Sequence, residues 1–293
     1  MRPFEYVAPK RLREAYAILA QADGRTVRPL AGGTDLIDQL RVGRKRADLV
    51  MDVKHIPELM RLEWGPRKGL YIGAGVPCYR VYKDPVVAQH YPAIRDGAML
   101  VGSWQIQHRA SLGGNICNAA PSADTVPPLL VYEAIAHIGG PRGEREVPLE
   151  RFFTGPGQTV LAPDEILLGV RVPPPPPRSS SHYLRFIPRE EMDIAVAGVA
   201  SLVALDSRGV VARARIALSA VAPTPVRARD AEAVLEGQRP TPALLVEAGE
   251  KAVLATNPIT DVRGSIAYRK ELVKVLTRRT LSKALADLGI TLE

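Results

Sequence analysis

The chain has 293 residues, of which 46% are hydrophobic and 24% charged, a composition typical of a globular protein with two or three packed units. Its net charge of +8 is spread along the sequence, and only 5% of residues are aromatic, so a nucleic-acid-binding surface is disfavoured. Two cysteines, Cys78 and Cys117, are too few for a disulfide framework or for ligating an iron–sulfur cluster.

Neither a membrane span nor a secretion signal is predicted. No apolar run approaches the roughly 20 residues that a membrane-spanning helix needs. Residues 1–6 lack the apolar core of a secretory signal. We therefore expect a cytoplasmic protein.

Residues 1–55 are predicted to form a small β-α-β-α-β unit. Apolar positions recur at helical spacing in residues 11–22, and Asp23 with Gly24 ends that helix. The predicted strands are 4–7, 26–30 and 48–53, and the predicted helices are 11–22 and 35–42.

Residues 56–175 are predicted to mix strands and helices. The predicted strands are 62–64, 69–74, 134–138, 144–147 and 165–172, and the predicted helices are 81–89, 94–101 and 125–134. Five consecutive prolines, Pro173 to Pro177, then favour an extended spacer, because proline continues neither a helix nor a sheet. We place a domain boundary at this spacer.

Residues 178–293 are predicted to form a second domain. Its predicted strands are 183–187, 195–205 and 210–219, and its predicted helices are 227–236, 241–255 and 265–287. A three-stranded antiparallel sheet followed by a three-helix bundle is an α+β arrangement. The whole chain is thus predicted to be α+β, with domains at residues 1–175, divided near residue 55, and 178–293.

Ala31-Gly32-Gly33-Thr34-Asp35, the first glycine segment, follows a predicted strand and begins a predicted helix. Glycine has no Cβ and accepts positive φ, so backbone N–H groups here can approach an anion closely, helped by the helix dipole. Thr34 adds a hydroxyl donor, and Asp35 is suited to cap the helix or to accept from a sugar hydroxyl. The spacing matches neither a Rossmann fingerprint nor a P-loop. Taken alone, the segment also fits a plain turn with an aspartate cap.

The second glycine segment, Ser111-Leu112-Gly113-Gly114-Asn115, again places two glycines between hydroxyl and amide side chains. Small residues follow it as far as Asp124, which we predict to cap the next helix. A long loop of this kind, bordered by apolar stretches, is typical of a functional loop. Two such loops could converge on one pyrophosphate from two sides.

With their flanking residues, the two segments resemble the medium, FAD-binding subunit of the molybdenum hydroxylases, the family of xanthine dehydrogenase and carbon monoxide dehydrogenase. The most specific part of the resemblance is residues 102–124, and Met192-Asp193-Ile194-Ala195 and Tyr268-Arg269-Lys270 agree with it. The resemblance runs the full length of the chain. It implies a two-subdomain FAD-binding domain of the vanillyl-alcohol-oxidase (PCMH) type, followed by a C-terminal flavoprotein domain.

The resemblance also implies which residues hold FAD. The contacts to its pyrophosphate and ribityl chain would come from Leu30, Ala31, Gly32, Gly33, Thr34, Asp35, Leu36, Ser111, Gly113, Gly114 and Asn115. Asp124 would bond to the cofactor, and Leu168 would pack near the flavin. Arg185 stands where the family often has lysine and differs from lysine in geometry. His108 stands where asparagine is common, and we expect it to be a polar surface residue.

The resemblance implies an electron-transfer subunit. A large molybdopterin subunit would hydroxylate the substrate, and electrons would pass through two [2Fe–2S] clusters of a small subunit to FAD, and then to an external acceptor. The implied assembly is a dimer of heterotrimers. No catalytic or metal-binding residue is predicted in this chain, because the flavin carries the chemistry. The histidines are isolated in the sequence, and none has a neighbour at a spacing that indicates a catalytic or metal-binding group. They are His55, His90, His108, His137 and His182.

Two alternatives remain open. A stand-alone flavin reductase of the UDP-N-acetylenolpyruvoylglucosamine reductase type shares the flavin fold, but it needs a substrate domain with its own proton donor, which the predicted C-terminal unit does not suggest. A non-catalytic scaffold that has lost its flavin is disfavoured by the two intact glycine segments.

Overall fold

The N-terminal part is a parallel sheet with two helices, in a computed structural model that describes residues 1–292. Its elements are β1 (Glu5–Val7), α1 (Leu12–Ala20), β2 (Val27–Leu30), α2 (Leu36–Arg41) and β3 (Leu49–Asp52). The strand order is β1-β3-β2, with β3 parallel to both neighbours. All four residues of β3 are buried, as expected for the central strand of a covered parallel sheet. The predicted β-α-β-α-β order is confirmed.

The next part is a five-stranded antiparallel sheet with short helices. Its first elements are β4 (Leu62–Gly65), β5 (Gly69–Gly73), α3 (Cys78–Lys83), α4 (Pro85–His90), α5 (Pro92–Met99), α6 (Trp104–Gln107), α7 (Leu112–Asn118) and α8 (Val126–Val131). They are followed by β6 (Ile135–Gly140), β7 (Gly143–Pro148), β8 (Phe153–Gly155), β9 (Gln158–Thr159) and β10 (Ile166–Val172). The strand order of the sheet is β4-β5-β10-β6-β7.

The helix predicted at residues 81–89 is divided in two, and the helix predicted at residues 94–101 lies at Pro92–Met99. Residues 78–99 form three helices, and prolines begin two of them: Pro85 in α4 and Pro92 in α5. Proline fits the first turn of a helix but cannot continue an existing one. Asp84 caps α4, since its Oδ1 accepts the N–H groups of Val86 at 2.9 Å and Val87 at 3.1 Å.

The C-terminal part is an antiparallel sheet covered by helices. Its elements are β11 (Ser179–Phe186), β12 (Ala197–Leu205), β13 (Val211–Ser219), β14 (Val226–Arg227), α9 (Arg229–Leu235), α10 (Pro242–Ala252) and α11 (Ile266–Asp287). The strands lie side by side in chain order. The fourth strand, β14, was not predicted, because its two residues are too few to show an alternating pattern.

One hydrophobic core joins the first two parts and reaches the third. Leu19 of α1 and Met51 of β3 pack in the same cluster as Ile138 of β6 and Ala200 of β12. A second cluster lies between the C-terminal sheet and its helices, with Val199 and Leu281 among its buried members. No helix within residues 1–292 is both long and apolar enough to cross a membrane.

The junction between the C-terminal part and the rest is charged and has a consistent polarity. In every carboxylate–arginine pair that crosses it within residues 1–292, the carboxylate precedes the proline spacer and the arginine follows it. The pairs are Asp124–Arg185, Glu133–Arg213, Glu133–Arg215, Glu133–Arg227 and Glu150–Arg229. Charge complementarity of this kind fixes the register of two surfaces.

Candidate functional site

The first glycine segment forms a tight turn between β2 and α2. Gly33 has a φ of +78°, in the left-handed region that favours glycine. Within the described residues, the backbone N–H groups of Gly32, Gly33 and Thr34 have no protein acceptor. The Asp35 side chain makes no hydrogen bond that caps α2. The turn therefore leaves several donors free to bind an anion, and the aspartate cap is not formed.

The second glycine segment is the beginning of a helix, which corrects the prediction of a loop. Ser111 caps α7: its Oγ accepts the N–H of Gly114 at 3.0 Å, and its carbonyl oxygen accepts the N–H of Asn115 at 3.0 Å. The cap compensates for the low helix propensity of the two glycines. Both glycines consequently lie in the first turn of α7, where the positive end of the helix dipole favours an anion.

The two segments lie against each other. A Cβ on Gly32 would come within 1.9 Å of the Arg109 carbonyl oxygen, on the chain that leads into the second segment. A Cβ on Gly113 would come within 2.4 Å of the Ala74 Cα atom. A Cβ on Gly114, in contrast, would meet only the Ser111 Oγ atom, at 3.1 Å. Gly32 and Gly113 are therefore required by packing against protein backbone, whereas a Cβ on Gly114 would crowd only the Ser111 side chain.

Side-chain hydrogen bonds tie the surrounding elements to α7. The Gln39 amide of α2 donates to the Asn118 Oδ1 atom at 3.0 Å. The Thr125 hydroxyl donates to the Asn115 Oδ1 atom at 2.7 Å, which connects α7 to the residue after Asp124. The first glycine segment, α7 and the start of α8 therefore form one connected structure.

Leu168 lies beneath the second glycine segment. It is buried at an irregularity in the pairing of β10 with β6, and its carbonyl oxygen accepts the N–H of Ala74 at 2.9 Å. Ala74 is the residue against which Gly113 packs. Leu168 is thus connected to the second segment through a single intervening residue.

The sequence predicted that Asp124 caps α8. In the structure, Asp124 instead belongs to a buried charged cluster. Its carboxylate is ion-paired with Arg185 of β11 and accepts the Tyr183 hydroxyl at 2.8 Å. Burial raises the pKa of Asp124 to about 6, although Arg185 and Tyr183 act in the opposite direction. The Arg185 Nε atom is buried without a hydrogen-bond partner.

Tyr183 was missed by the sequence analysis. Its only signal was its position two residues before Arg185, because alternate residues of a strand point to the same face. The sequence therefore offered Tyr183 as a candidate only through its position on the same strand face as Arg185.

The histidines lie outside this connected set, and several have partners that are distant in sequence. His182 is buried between Asp96, at 3.1 Å, and Asp287, at 2.7 Å. His108 is exposed and stacks on Tyr79, with ring centroids 4.4 Å apart, so it is a surface residue as expected. Within residues 1–292, no group of three or more His, Cys, Asp or Glu residues is arranged to hold a metal ion.

Two family patterns together match most of this chain. The FAD binding domain in molybdopterin dehydrogenase matches residues 2–175, and the CO dehydrogenase flavoprotein C-terminal domain matches residues 182–284. The chain belongs to the family of FAD-binding subunits of the molybdenum hydroxylases. Its cofactor is accordingly FAD, and members of this family are subunits of FAD-dependent oxidoreductases that contain molybdopterin.

Individual relatives agree with this family along nearly their whole length. The putative xanthine dehydrogenase FAD-binding subunit XdhB of Escherichia coli K12 is 34% identical over 276 residues, 94% of each chain. The carbon monoxide dehydrogenase medium chain of Hydrogenophaga pseudoflava is 31% identical over 284 residues, 97% of each chain. A solved structure of carbon monoxide dehydrogenase from the same organism superposes with a TM-score of 0.92 and 32% identity, covering 98% of this chain and 99% of that one. The predicted family and α+β fold class are confirmed.

Proposed function

We propose that this chain is the electron-transfer subunit of a molybdenum hydroxylase, in which FAD accepts electrons from a small [2Fe–2S] subunit and passes them to an external acceptor. The observation that carries the proposal is full-length similarity to FAD subunits and medium chains of xanthine and carbon monoxide dehydrogenases. When bound, FAD supplies the acceptance and release of electrons, and the protein supplies binding, orientation and electrostatics.

The pyrophosphate of FAD is proposed to lie between the first glycine segment and the first turn of α7. The free N–H groups of Gly32, Gly33 and Thr34 support this placement, as does Gly114, where an added Cβ would meet only the Ser111 Oγ atom. The remaining residues proposed to contact the cofactor are Leu30, Ala31, Asp35, Leu36, Ser111, Gly113, Asn115, Asp124, Leu168 and Arg185.

The flavin end of the cofactor is proposed to border Leu168 and the cluster of Asp124 and Arg185. The connections through Ala74 and Thr125 support this assignment, because they join those residues to the second glycine segment. The unpaired Arg185 Nε atom is suited to donate a hydrogen bond to a carbonyl oxygen or a ring nitrogen.

The proposed assembly is a cytoplasmic dimer of heterotrimers with a small [2Fe–2S] subunit and a large molybdopterin subunit. Within this chain, residues 1–175 are proposed as the FAD-binding domain, with subdomains 1–55 and 56–175, and residues 178–293 as the C-terminal domain. The medium chains named among the relatives support the assembly. Neighbouring reading frames are expected to encode the two partners.

The test is anaerobic electron transfer in the complex purified after co-expression with the small and large subunits. With the small subunit present, its reduced clusters should bleach the flavin absorbance, and an added acceptor should restore it. A Gly114→Val complex should still assemble and reduce its clusters but carry no flavin. Substrate turnover by the isolated chain with a reduced nicotinamide cofactor would instead favour the stand-alone reductase.

A further inference from the structure

Tyr183 of β11 is buried where the chain behind the second glycine segment meets the C-terminal sheet. Its hydroxyl donates to the Asp124 Oδ1 atom at 2.8 Å and lies 3.4 Å from the Ser219 Oγ atom of β13. A tyrosine hydroxyl has a single proton, and here the carboxylate accepts it, so the Ser219 hydroxyl is left to donate to the Tyr183 oxygen. Tyr183 therefore connects the C-terminal sheet to Asp124 through one hydroxyl group.

The sheet holds the Tyr183 hydroxyl at a fixed place. Gly198 of β12 pairs with Arg185 on one side and with Ser219 on the other. A Cβ on Gly198 would come within 2.5 Å of both the Tyr183 hydroxyl oxygen and the Ser219 Oγ atom. The hydroxyl therefore lies directly against the backbone of β12, and packing as well as hydrogen bonding determines its position.

Each carboxylate oxygen of Asp124 has its own partner. The Tyr183 hydroxyl donates to Oδ1, and the Arg185 guanidinium donates to Oδ2. Within residues 1–292, neither oxygen accepts any other hydrogen bond. Burial favours the protonated carboxyl and raises the pKa of Asp124 to about 6, whereas the two donors favour the ionised form. Without the Tyr183 hydroxyl, Oδ1 would be buried without a donor, and the ionised form of Asp124 would be less stable.

The Arg185 side chain in turn depends on Asp124 for its position. It is 6% exposed, and its only hydrogen bond among the described residues runs from Nη1 to Asp124. Its Nε atom is buried and donates to no protein group of that part of the chain. A buried N–H group without an acceptor is costly, so an acceptor is expected when the site is occupied. The direction in which Nε points is therefore set by the ion pair with Asp124.

We propose that Tyr183 is a positioning residue of the flavin site, which keeps Asp124 ionised and thereby aims the Arg185 Nε atom at FAD. This inference rests on the proposed position of the flavin end beside Arg185. Tyr183 acts through Asp124 rather than on the cofactor, because Asp124 accepts its hydroxyl proton. That proton is its specific contribution, since a phenylalanine ring would fill the same space.

The test compares Tyr183→Phe with Tyr132→Phe in the full-length chain. Tyr132 is also buried, and its hydroxyl is hydrogen-bonded to the Ser181 hydroxyl at 2.6 Å, so its variant likewise removes one buried hydroxyl but leaves Asp124 untouched. Titration of the apoprotein with FAD should give about 3- to 10-fold weaker binding in Tyr183→Phe, because Arg185 then donates to the flavin from a less fixed position. Tyr132→Phe should bind FAD within about 2-fold of the wild type.

The midpoint potential of bound FAD provides a readout that a purely structural role of Tyr183 would not change. Reduction adds negative charge to the flavin ring, and a fixed N–H donor stabilises that charge. The potential should therefore be more negative in Tyr183→Phe than in the wild type, and unchanged in Tyr132→Phe.

The pH dependence of FAD affinity tests whether Tyr183 acts through Asp124. Ionisation of Asp124 should give the wild type a transition near its pKa of about 6, and loss of the Tyr183 donor should move that transition to higher pH. The other groups on which the Asp124 charge acts keep their charge state in this range. Burial raises the pKa of Cys78 to about 12 and the pKa of Tyr183 well above its ordinary value, and arginine stays protonated. His182, hydrogen-bonded to Asp96, points to the other face of β11, and any contribution from this pair remains in Asp124→Asn, which is the baseline.

Asp124→Asn also separates failure of this inference from failure of the proposed site. Equal affinities, potentials and pH transitions in the two phenylalanine variants would overturn the role of Tyr183. If Asp124→Asn nevertheless shifts the flavin potential, the flavin end stands beside Arg185 and only the role of Tyr183 is lost. If Asp124→Asn changes neither the potential nor the FAD affinity, the flavin does not lie beside this cluster, and the inference about Tyr183 fails with it.

Discussion

Asp124 and Arg185 form a buried ion pair that joins the chain behind the second glycine segment to strand β11 of the C-terminal part. The pair brings together two residues that are 61 positions apart in sequence. Tyr183 completes it by donating to the second oxygen of Asp124. The proposed flavin site therefore depends on contacts between the two parts of the chain.

Arg185→Met should destabilise the protein strongly. The substitution leaves the Asp124 carboxylate buried without its cation, and breaking a buried pair in this way costs about 3–5 kcal/mol. Urea unfolding at neutral pH measures the difference. Arg185→Lys is the matched control, because it keeps the charge and should recover a large part of the loss. Equal stabilities of Arg185→Met and wild type would show that the pair contributes nothing.

The pH dependence of stability should carry a contribution from Asp124. Its folded-state pKa of about 6 lies above its ordinary value of 3.8. The folded protein therefore holds this proton more tightly than the unfolded chain does. The favourable contribution is complete below about pH 4 and is lost as the pH rises through 6.

Asp124→Asn cannot titrate and provides the reference for this effect. The free energy of unfolding of the wild type, minus that of Asp124→Asn, should fall by at most about 3 kcal/mol between pH 4 and pH 7. Denaturant titrations at several pH values measure it. A difference that is constant, or that grows with pH, contradicts the raised pKa.

Gly32→Ala and Gly114→Ala should separate folding from flavin binding. At Gly32 the new methyl group meets the Arg109 backbone, so we expect a clear fall in the Tm of the apoprotein. At Gly114 it meets only the Ser111 hydroxyl, at 3.1 Å, and alanine favours the helix, so the Tm should change much less than in Gly32→Ala.

Flavin retention should then distinguish the two glycines. Gly114→Ala should bind FAD more weakly although it is well folded, and Gly114→Val should abolish flavin retention. Thermal unfolding by circular dichroism, together with the visible spectrum of the purified protein, measures both properties. A well-folded Gly114→Val protein with full flavin absorbance would exclude the proposed pyrophosphate contact.

Ser111→Ala should weaken the first turn of α7. The variant loses the acceptor for the Gly114 N–H, and loss of such a cap costs about 1 kcal/mol. We expect a modest decrease in unfolding free energy together with weaker FAD binding, because the donors of that turn lose their fixed orientation. Ser111→Thr should restore both. An unchanged FAD affinity in a measurably destabilised Ser111→Ala protein would show that the cap stabilises the fold but does not contribute to FAD binding.

Patterns that depend on neighbours in sequence predicted the fold well. The β-α-β-α-β unit and the hairpin of β6 and β7 follow from hydrophobic periodicity over a few residues. The second glycine segment was predicted as a loop, because two glycines argue against a helix and the compensating cap at Ser111 carries little weight in a pattern. The helix predicted at residues 81–89 is divided at Pro85, because proline cannot continue an existing helix.

The charged contacts of the site could not be predicted from such patterns. Asp124 meets Tyr183 and Arg185 only when β11 is placed beside the start of α8, and nothing local to Asp124 indicates this. Long-range pairing depends on the tertiary arrangement, which a single sequence does not display.

The consistent polarity of the junction, acidic before the proline spacer and basic after it, constrains how related proteins can exchange their halves. A chimera that joins residues 1–175 of this chain to the C-terminal half of a relative would need cations facing Asp124, Glu133 and Glu150. A donor half with neutral residues there would leave these carboxylates without a countercharge, and one with acidic residues would bring carboxylates against each other across the seam. Compatibility of the halves is therefore a matter of matched charge at a few positions, and overall sequence identity is a poor guide to it.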